Sequence, residues 1–291
     1  MKTLTRDQRC SVIRCLCDGV SIAATTRITG AAKNTIQKLT RELGQAVLEF
    51  QNVVLRNLPC KRIEIDEVWE FCYAKDKNLP DRMRGEPGVG SIWTWTALCA
   101  ETKLLLSWRL GARDSANAQY FISDVAERLA NRCQMTTDGN RLYLAAVNDA
   151  FRGDVDFAQL VKQFGNETGP AETRYSPGKC LGAIKQQVEG NPDMDLVSTS
   201  YAERQNLNIR MQNRRYTRLT NAFSKKAEML AFSVAITFMY HNFVRVHQTI
   251  KTTPAVAAGV AKHRWTVGDM VDLLPLAVAG KRGPYKKRIS D

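Results

Sequence analysis

The sequence predicts a mixed α/β (α+β) protein in which a small all-helical domain precedes a larger domain built on a sheet. The apolar residues of positions 1–55 recur with helical spacing, and past Leu58 and Pro59 the pattern changes to the alternation typical of β-strands. The chain has 291 residues, more than the about 50 to 250 that one domain usually holds. We therefore expect a helical domain at 1–55, a sheet domain at 60–250, and a helical extension with a basic tail at 251–291.

Three short helices are expected at the N-terminus. The first covers residues 5–18, and the second begins after Ser21, a residue type that caps helix N-termini well. The third covers residues 31–50, and its outward face carries polar and basic side chains, namely Lys33, Asn34, Gln37 and Lys38. This layout is that of a helix-turn-helix, whose last helix enters the major groove of DNA. A plain three-helix bundle is the alternative.

A sheet domain is expected to follow. The alternation at residues 61–73 predicts its first strand, with Ile63, Ile65, Trp69, Phe71 and Tyr73 on one side and Glu64, Asp66 and Val68 on the other. Two strands are expected next, at 91–100 and 104–111, followed by a helix at 115–131 and a short strand that ends at Gly139. A helix at 142–151 and a last strand at 155–164 come after them. Three antiparallel strands followed by helix, strand, helix and strand is the order of the ribonuclease-H fold.

The C-terminal part alternates between polar and helical segments. Residues 165–198 are rich in Gly, Pro and polar residues, which predicts an excursion on the surface. A helix is expected from about Thr199 to beyond Arg210, and a long helix at 222–246 with a core side of Phe232, Ile236, Met239 and Tyr240. Short helices at 253–274 and a disordered basic tail at 275–291 complete the chain.

The charge balance indicates a polyanionic partner. Lys and Arg number 42 against 29 for Asp and Glu, a formal net charge of +13, and nucleic acid is the usual partner of so basic a chain. A solvated basic surface is the alternative. The sequence has no apolar run long enough for a membrane span and begins without a secretory signal, so we expect a cytoplasmic protein, nucleoid-associated when bound to DNA. The eight cysteines include no Cys-x-x-Cys pair, and no zinc site is expected.

Three carboxylates are the candidate catalytic residues. Asp66 lies in the middle of the first strand, where burial is costly without a compensating ion, Asp138 ends the fourth, and Glu203 lies in the first turns of a helix. In the predicted fold the two strands are neighbours, so the Asp side chains can converge under the Glu. Oxygen ligands suit Mg²⁺, or Mn²⁺ as a substitute, and two such ions can activate a nucleophile and stabilise the leaving oxygen of a phosphodiester.

Each carboxylate also has a structural interpretation. Asp138 before Gly139 can shape a turn, and Glu203 can pair with Arg204 or Arg210. Asp66 competes with two neighbours for the catalytic role: Glu64, which shares its face of the strand, and Glu67, which does not.

A basic stripe is expected beside these carboxylates. At helical spacing, Leu207, Arg210, Arg214 and Arg218 follow Glu203 at offsets of 4, 7, 11 and 15, close to one face. The expected phosphate-contacting residues of this region are Arg204, Arg210, Arg214, Arg215, Arg218, Lys225 and Lys226. An exposed basic helix without a ligand is the alternative.

The order and content of several segments resemble the insertion-sequence-one family of bacterial DDE transposases. The resemblance spans about residues 60–260 and is carried by Ile65-Asp66-Glu67-Val68-Trp69, Trp93-Thr94-Trp95-Thr96, Thr136-Thr137-Asp138-Gly139, Ser200-Tyr201-Ala202-Glu203-Arg204-Gln205-Asn206-Leu207, and the segments 218–226 and 240–247. It implies a catalytic triad of Asp66, Asp138 and Glu203. Family members often have His where this chain has Asn140, and Asn-His where it has Met229 and Leu230.

The resemblance also implies an activity. The expected reaction is Mg²⁺-dependent cleavage at transposon ends followed by strand transfer to target DNA, with two ions at the site. The expected partners are double-stranded DNA, both ends and target, and further copies of the chain in a homodimer or higher oligomer on DNA. A transposase-derived DNA-binding regulator without catalysis and a stand-alone nuclease are the alternatives.

Overall fold

The centre of the protein is a six-stranded mixed sheet. The computed structural model describes residues 4–165 and 180–274, so the basic tail and part of the expected excursion lie outside the described residues. The strands stand in the order β3-β2-β1-β4-β5-β6 and comprise β1 Arg62–Cys72, β2 Gly90–Cys99, β3 Leu105–Gly111, β4 Gln134–Asp138, β5 Asp156–Phe164 and β6 Cys180–Glu189. The first three form an antiparallel meander, β4 and β5 add to β1 in parallel, and β6 is antiparallel to β5.

Helices cover both faces of this sheet. They are α1 Arg6–Cys17, α2 Ile22–Thr29, α3 Lys33–Val54, α4 Ser115–Arg128, α5 Leu142–Phe151, α6 Ser200–Gln212, α7 Ala227–Met239, α8 Pro254–Ala257 and α9 Val267–Val271. A π-helical turn at Tyr240–Val244 continues α7. In the described ranges, no helix combines the length and apolar character that crossing a membrane requires.

The alternation of β1 divides its side chains between two hydrophobic clusters. Ile63 and Ile65 lie in one cluster with α4 and α5, where Trp95 of β2 contacts the rings of Phe121 and Tyr143 at centroid distances of 6.0 and 5.7 Å. Cys72 and Val68 lie in a second cluster with residues of α6 and α7, including Ile209, Leu230, Val234 and Phe238. Because both faces are covered, the strand that carries Asp66 is held rigidly.

The N-terminal helices pack directly on the C-terminal ones. Gly44 of α3 faces Phe232 of α7 so closely that a Cβ at Gly44 would lie 2.3 Å from the Cβ of Phe232. The Gln51 side chain donates to the Ala235 carbonyl at 3.3 Å, and Phe50 of α3 contacts Phe243 with a centroid distance of 5.6 Å. Residues of α1 and α3 consequently belong to the same hydrophobic cluster as the sheet.

Three predicted elements differ from the structure. Residues 180–189 form β6 rather than an irregular excursion. The helix that carries Glu203 ends at Gln212, so Arg214 lies in a following 3-10 turn and Arg218 lies beyond that turn. The expected long helix at 222–246 begins only at Ala227. The N-terminal helices, the meander and the remaining helix and strand order agree with the sequence analysis.

Candidate active site

Asp66 and Asp138 meet where β1 and β4 run side by side. The parallel register pairs Glu64 with Thr136, so two residues further along both strands Asp66 and Asp138 come alongside each other. Carboxylate oxygens of Asp66, Glu67 and Asp138 all lie within 4.8 Å of one another. The convergence expected from neighbouring first and fourth strands is therefore present, with Glu67 as an additional member.

Glu67 reaches this cluster from the other face of β1. Its carboxylate is buried and accepts hydrogen bonds from the Tyr143 hydroxyl at 2.8 Å and the Asn140 amide at 2.9 Å. Arg113 lies 3.5 Å from Glu67 and 3.4 Å from Asp138 and is the cation shared by the two acids. The sequence left Glu67 as a competitor of Asp66 on the opposite face of the strand, and the structure brings both carboxylates close to Asp138.

Asp66 is the most perturbed of these acids. Burial, followed by repulsion from Glu67, Asp138 and Glu203, raises its pKa to about 7, although a hydrogen bond from the Glu67 backbone opposes the shift. One oxygen accepts from the Glu67 N–H and the other from the Asn206 amide, each at 2.8 Å. The carbonyl oxygen of the Asn206 side chain is buried and has no hydrogen-bond partner among the described residues. The Asp66 carboxylate is thus held in place in an environment that disfavours its charge.

Glu203 lies over the same site because α6 is anchored to β1. The Glu64 carboxylate accepts hydrogen bonds from the backbone N–H groups of Tyr201 and Ala202, at 2.7 and 3.1 Å. This contact holds the first turn of α6, with Glu203, above the sheet. Glu203 is in turn bound by Lys162 of β5 and by the Thr199 hydroxyl.

The three predicted carboxylates line one open cavity of about 710 Å³, together with Arg113, Lys162 and Thr199. Asp66 and Asp138 are close enough for their oxygens to share one ion, whereas Glu203 lines the cavity outside that close group. Divalent cations that prefer oxygen ligands fit this donor set, because several carboxylates gather around space that an ion and a substrate phosphate can enter. Asn206, Arg113 and Lys162 were not singled out by the sequence, because only tertiary packing brings them here.

The expected basic stripe on the Glu203 helix is not formed. Since α6 ends at Gln212, Arg210 is the last of these arginines on the helix, and its guanidinium donates to the carbonyls of Tyr216 and Trp69 at 3.4 and 3.3 Å. Arg215 donates to the Ser224 hydroxyl at 2.7 Å. Both arginines are partly buried, while Arg204 and Arg218 are exposed.

A basic groove instead joins the N-terminal helices to the segment before α7. It has a volume of about 550 Å³ and is lined by Lys33, Gln37, Arg41, Arg214, Arg215, Lys225 and Lys226, among others. Two groups of residues that the sequence proposed separately therefore share one surface, and Arg41 joins them. Asn34 and Lys38 are exposed outside this groove, and Lys38 lies 3.6 Å from Glu42.

The chain matches no protein-family model and no curated protein sequence. Among solved structures it is similar to a piggyBac transposase in a synaptic complex with hairpin DNA, determined by cryo-EM. The identity is 12%, the similarity covers 94% of this chain and 76% of that chain, and the TM-score is 0.34. At that TM-score the two overall folds are not shown to be the same, and the function has to be inferred from the chain's own residues.

Proposed function

We propose that this chain is a DDE-type transposase, of the kind found in the insertion-sequence-one family, that cuts DNA ends and joins them to target DNA. Asp66, Asp138 and Glu203 are its catalytic carboxylates. The observation that carries the proposal is the convergence of Asp66 and Asp138, on adjacent parallel strands, at a cavity that Glu203 also lines. The strand order supports a ribonuclease-H-like domain, because an antiparallel meander is extended in parallel at its β1 edge.

The donor set fits Mg²⁺, or Mn²⁺ in its place, held by Asp66 and Asp138 with Glu203 and Glu67 as further oxygen donors. Two such ions supply an activated water or 3′-hydroxyl nucleophile and stabilise the leaving oxygen of a phosphodiester. An acid whose pKa is raised to about 7 by burial and by neighbouring carboxylates exchanges its proton for a cation readily, because a bound cation offsets both effects.

Residues around the carboxylates position them for this work. The Asn206 amide and the Glu67 N–H each hold one oxygen of Asp66. Lys162 binds Glu203 from the neighbouring strand β5 and balances its charge. These contacts fix the donors before a substrate arrives, which lowers the cost of organising them later.

DNA is the proposed partner of the basic groove. The three N-terminal helices are compatible with a helix-turn-helix in which α3 is the recognition helix, and Lys33 and Gln37 of α3 share the groove with Lys225 and Lys226. Contacts of these cations with phosphates would hold the double-stranded transposon ends and target regardless of sequence. We further propose that the active species is a homodimer or higher oligomer, since two ends must be held for joining.

The catalytic assignment is tested with three substitutions that conserve volume, Asp66→Asn, Asp138→Asn and Glu203→Gln. Each should lower both cleavage and strand transfer while leaving binding of end DNA unchanged. We expect losses beyond the about 10- to 100-fold that removing an outer-shell partner of a metal ligand costs. The measurement is gel-resolved cleavage of an end-containing duplex, labelled at the 5′ end of the strand whose 3′-hydroxyl performs the joining, so that joined and merely cut products separate.

Matched controls are available on the surface. Asp149 and Glu86 are exposed and lie outside the cavity, and Asp149→Asn and Glu86→Gln should retain full activity. Full activity in any one of the three test variants would remove that residue from the site. Cleavage that persists in chelator would contradict the metal mechanism as a whole.

A further inference from the structure

A second cavity lies at the far end of β1, beyond the point where β4 ends. It has a volume of about 1160 Å³ and its aromatic residues are Trp69, Phe71, Tyr73 and Phe223; we call it the aromatic cavity. Trp69 and Phe71 lie on one side of β1, Tyr73 directly follows the last residue of that strand, and Phe223 comes from the segment before α7. The sequence grouped the β1 rings with Ile63 and Ile65, but all four rings are only half-buried. Rings placed only to fill the core would be covered.

The rings form a fixed, stepped stack. The centroids of Trp69 and Phe71 are 5.9 Å apart, and those of Phe71 and Phe223 are 4.7 Å apart, with interplanar angles of 36° and 38°. Trp69 is held by a hydrogen bond from its ring N–H to the Ser91 hydroxyl at 3.0 Å. Tyr73 has a left-handed φ of 68°, maintained by a 2.8 Å hydrogen bond from its N–H to the Ser224 carbonyl. The aromatic faces are therefore in place without a ligand.

Positive charge surrounds the stack. Lys225 lies 4.5 Å from the ring centroid of Phe223 and 5.5 Å from that of Tyr73, and Lys75 lies 5.7 Å from that of Phe71. Further cations at the cavity are Lys77, Arg215 and Arg218. Of the described residues that line it, Glu70 alone is acidic, and its buried carboxylate accepts from the Phe71 N–H at 2.9 Å. The cavity thus offers aromatic faces beside several cations.

We propose that the aromatic cavity binds unpaired bases of a single DNA strand, with the flanking phosphates on Lys75, Lys225 and Arg218. Half-exposed rings beside cations are the combination that binds single-stranded nucleic acid, because every base has a face to stack and every linkage a charge to neutralise. Trp69 follows Asp66 by three residues on β1, a distance of about 10 Å at the usual rise of a strand. A DNA strand that separates from its complement at the carboxylates would therefore lie within reach of the rings. The choice of DNA as the bound nucleic acid rests on the proposed function.

The test uses the full chain in chelator, so that no strand is cut. The probe is a fluorescent oligothymidine of about 12 nucleotides, within the range that single-strand sites occupy, and the reference is an abasic strand of the same length. Wild type should bind the thymidine strand at least about tenfold more tightly, a difference that stacking of a single base can supply. Phe71→Leu and Phe223→Leu should each remove most of that preference and leave abasic binding unchanged.

Tyr120→Leu is the matched control, because Tyr120 is an exposed ring beside a cation, Arg109, outside the cavity. It should not change either affinity. Equal affinity of wild type for the two strands would overturn the proposal, as would an unchanged preference in both Phe variants. An independent readout is photocrosslinking of wild type with a 5-iodouridine strand, where crosslinks must map to residues 69–73 or to Phe223.

The outcomes separate this proposal from the proposed function. Equal affinity of wild type for the thymidine and abasic strands, together with intact cleavage of end DNA, would overturn the base-binding cavity alone. Base-dependent binding at the aromatic cavity without cleavage by wild type in Mg²⁺ would overturn the transposase assignment and leave this inference standing.

Discussion

At the scale of single residues, the site is defined by negative charges that outnumber their partners. Glu67 and Asp138 share the Arg113 guanidinium, which packs on the Trp93 ring at 4.9 Å from its centroid. Asp66 has hydrogen-bond donors but forms no ion pair with any Lys or Arg in the described part of the chain. Buried like charges repel strongly when solvent cannot screen them, so the ionised form of Asp66 is destabilised in this arrangement.

That cost predicts a pH-dependent stability. Burial and the neighbouring carboxylates raise the pKa of Asp66 from 3.8 to about 7, so the folded state binds this proton more tightly than the unfolded chain. In chelator, the free energy of unfolding contributed by Asp66 should therefore fall as the pH rises from about 4 to about 7 and then level off. Asp66→Asn should remove this fall and stabilise the protein at about pH 8 by about 4 kcal/mol, because the shift from 3.8 to about 7 corresponds to about 1.4 kcal/mol per pKa unit.

Urea unfolding of both proteins across this pH range measures the difference. Saturating Mg²⁺ should stabilise wild type above its Asp66 pKa and have little effect on Asp66→Asn, because a ligand that binds the folded state alone stabilises it. The exposed Asp149→Asn variant should follow the wild-type profile. Parallel profiles of wild type and Asp66→Asn would show that Asp66 carries no buried charge.

Sequence reasoning singled out Asp66 and Asp138 as candidate site residues because the strand pattern places Asp66 in the middle of the first strand and Asp138 at the end of the fourth. Strand alternation placed Glu67 on the face opposite Asp66 and left the choice between them open, because alternation says nothing about where the neighbouring strand ends. Since β4 stops at Asp138, a carboxylate from either face of β1 can reach it.

At the scale of elements, the site depends on how α6 begins. The first free N–H groups of a helix attract a carboxylate, and here Glu64 of the adjacent strand supplies it. The acid therefore ties the strand that carries Asp66 to the helix that carries Glu203. A sequence offers no sign of this contact, because the two residues are far apart along the chain.

Glu64→Ala should consequently damage both fold and activity. Two buried N–H groups lose their acceptor, which should lower the free energy of unfolding by about 1 to 3 kcal/mol, and Glu203 should lose its position. Glu64→Gln should cost less, because a single oxygen accepts both N–H groups and the amide retains one. Urea unfolding and the cleavage assay test both effects. If the alanine variant matched wild type in both, the contact would have no role in holding α6.

Two elements escaped the sequence analysis for different physical reasons. Strand β6 leaves Leu181, Ile184 and Val188 exposed to 64%, 52% and 37%, so it lacks the apolar and polar alternation that reveals a half-buried strand. Helix α6 ends because Asn213 is buried and donates to the Thr237 hydroxyl at 3.0 Å, while its carbonyl oxygen accepts from the Arg215 N–H. The helical pattern of arginines continues past this point, but the tertiary contact breaks the helix.

At the scale of the whole molecule, the N-terminal helices and the sheet share one hydrophobic cluster. Phe50, Phe243 and Trp265 meet with centroids 5.0 to 5.6 Å apart, and Arg6 of α1 forms a two-pronged ion pair with Asp272. The change of pattern near Pro59 predicted two domains, and the periodicity of α3 showed that it has an apolar face. Neither could show that this face packs on α7.

The fit between α3 and α7 predicts an unusual response to alanine. In an exposed helix, Gly→Ala stabilises by about 1 kcal/mol, but at Gly44 the new Cβ would lie 2.3 Å from Phe232. Overpacking of this kind costs about 1 to 3 kcal/mol, so Gly44→Ala should destabilise the protein in urea unfolding. Adding Phe232→Gly, which removes the Cβ that the new methyl group would meet, should reverse part of the loss in a double-mutant cycle. Stabilisation by Gly44→Ala alone would mean that the two helices are not in contact.

The contact at Gly44 also bears on where DNA would be cut. Lys33 and Gln37 lie near the start of α3, eleven and seven residues before Gly44, where the helix packs against α7. They cannot swing relative to Asp66 and Asp138 unless that contact opens. For an enzyme with the proposed function, the number of base pairs between the recognised sequence and the bond that is cut would then be set by the dimensions of the rigid protein. A flexible linker would have no part in setting it.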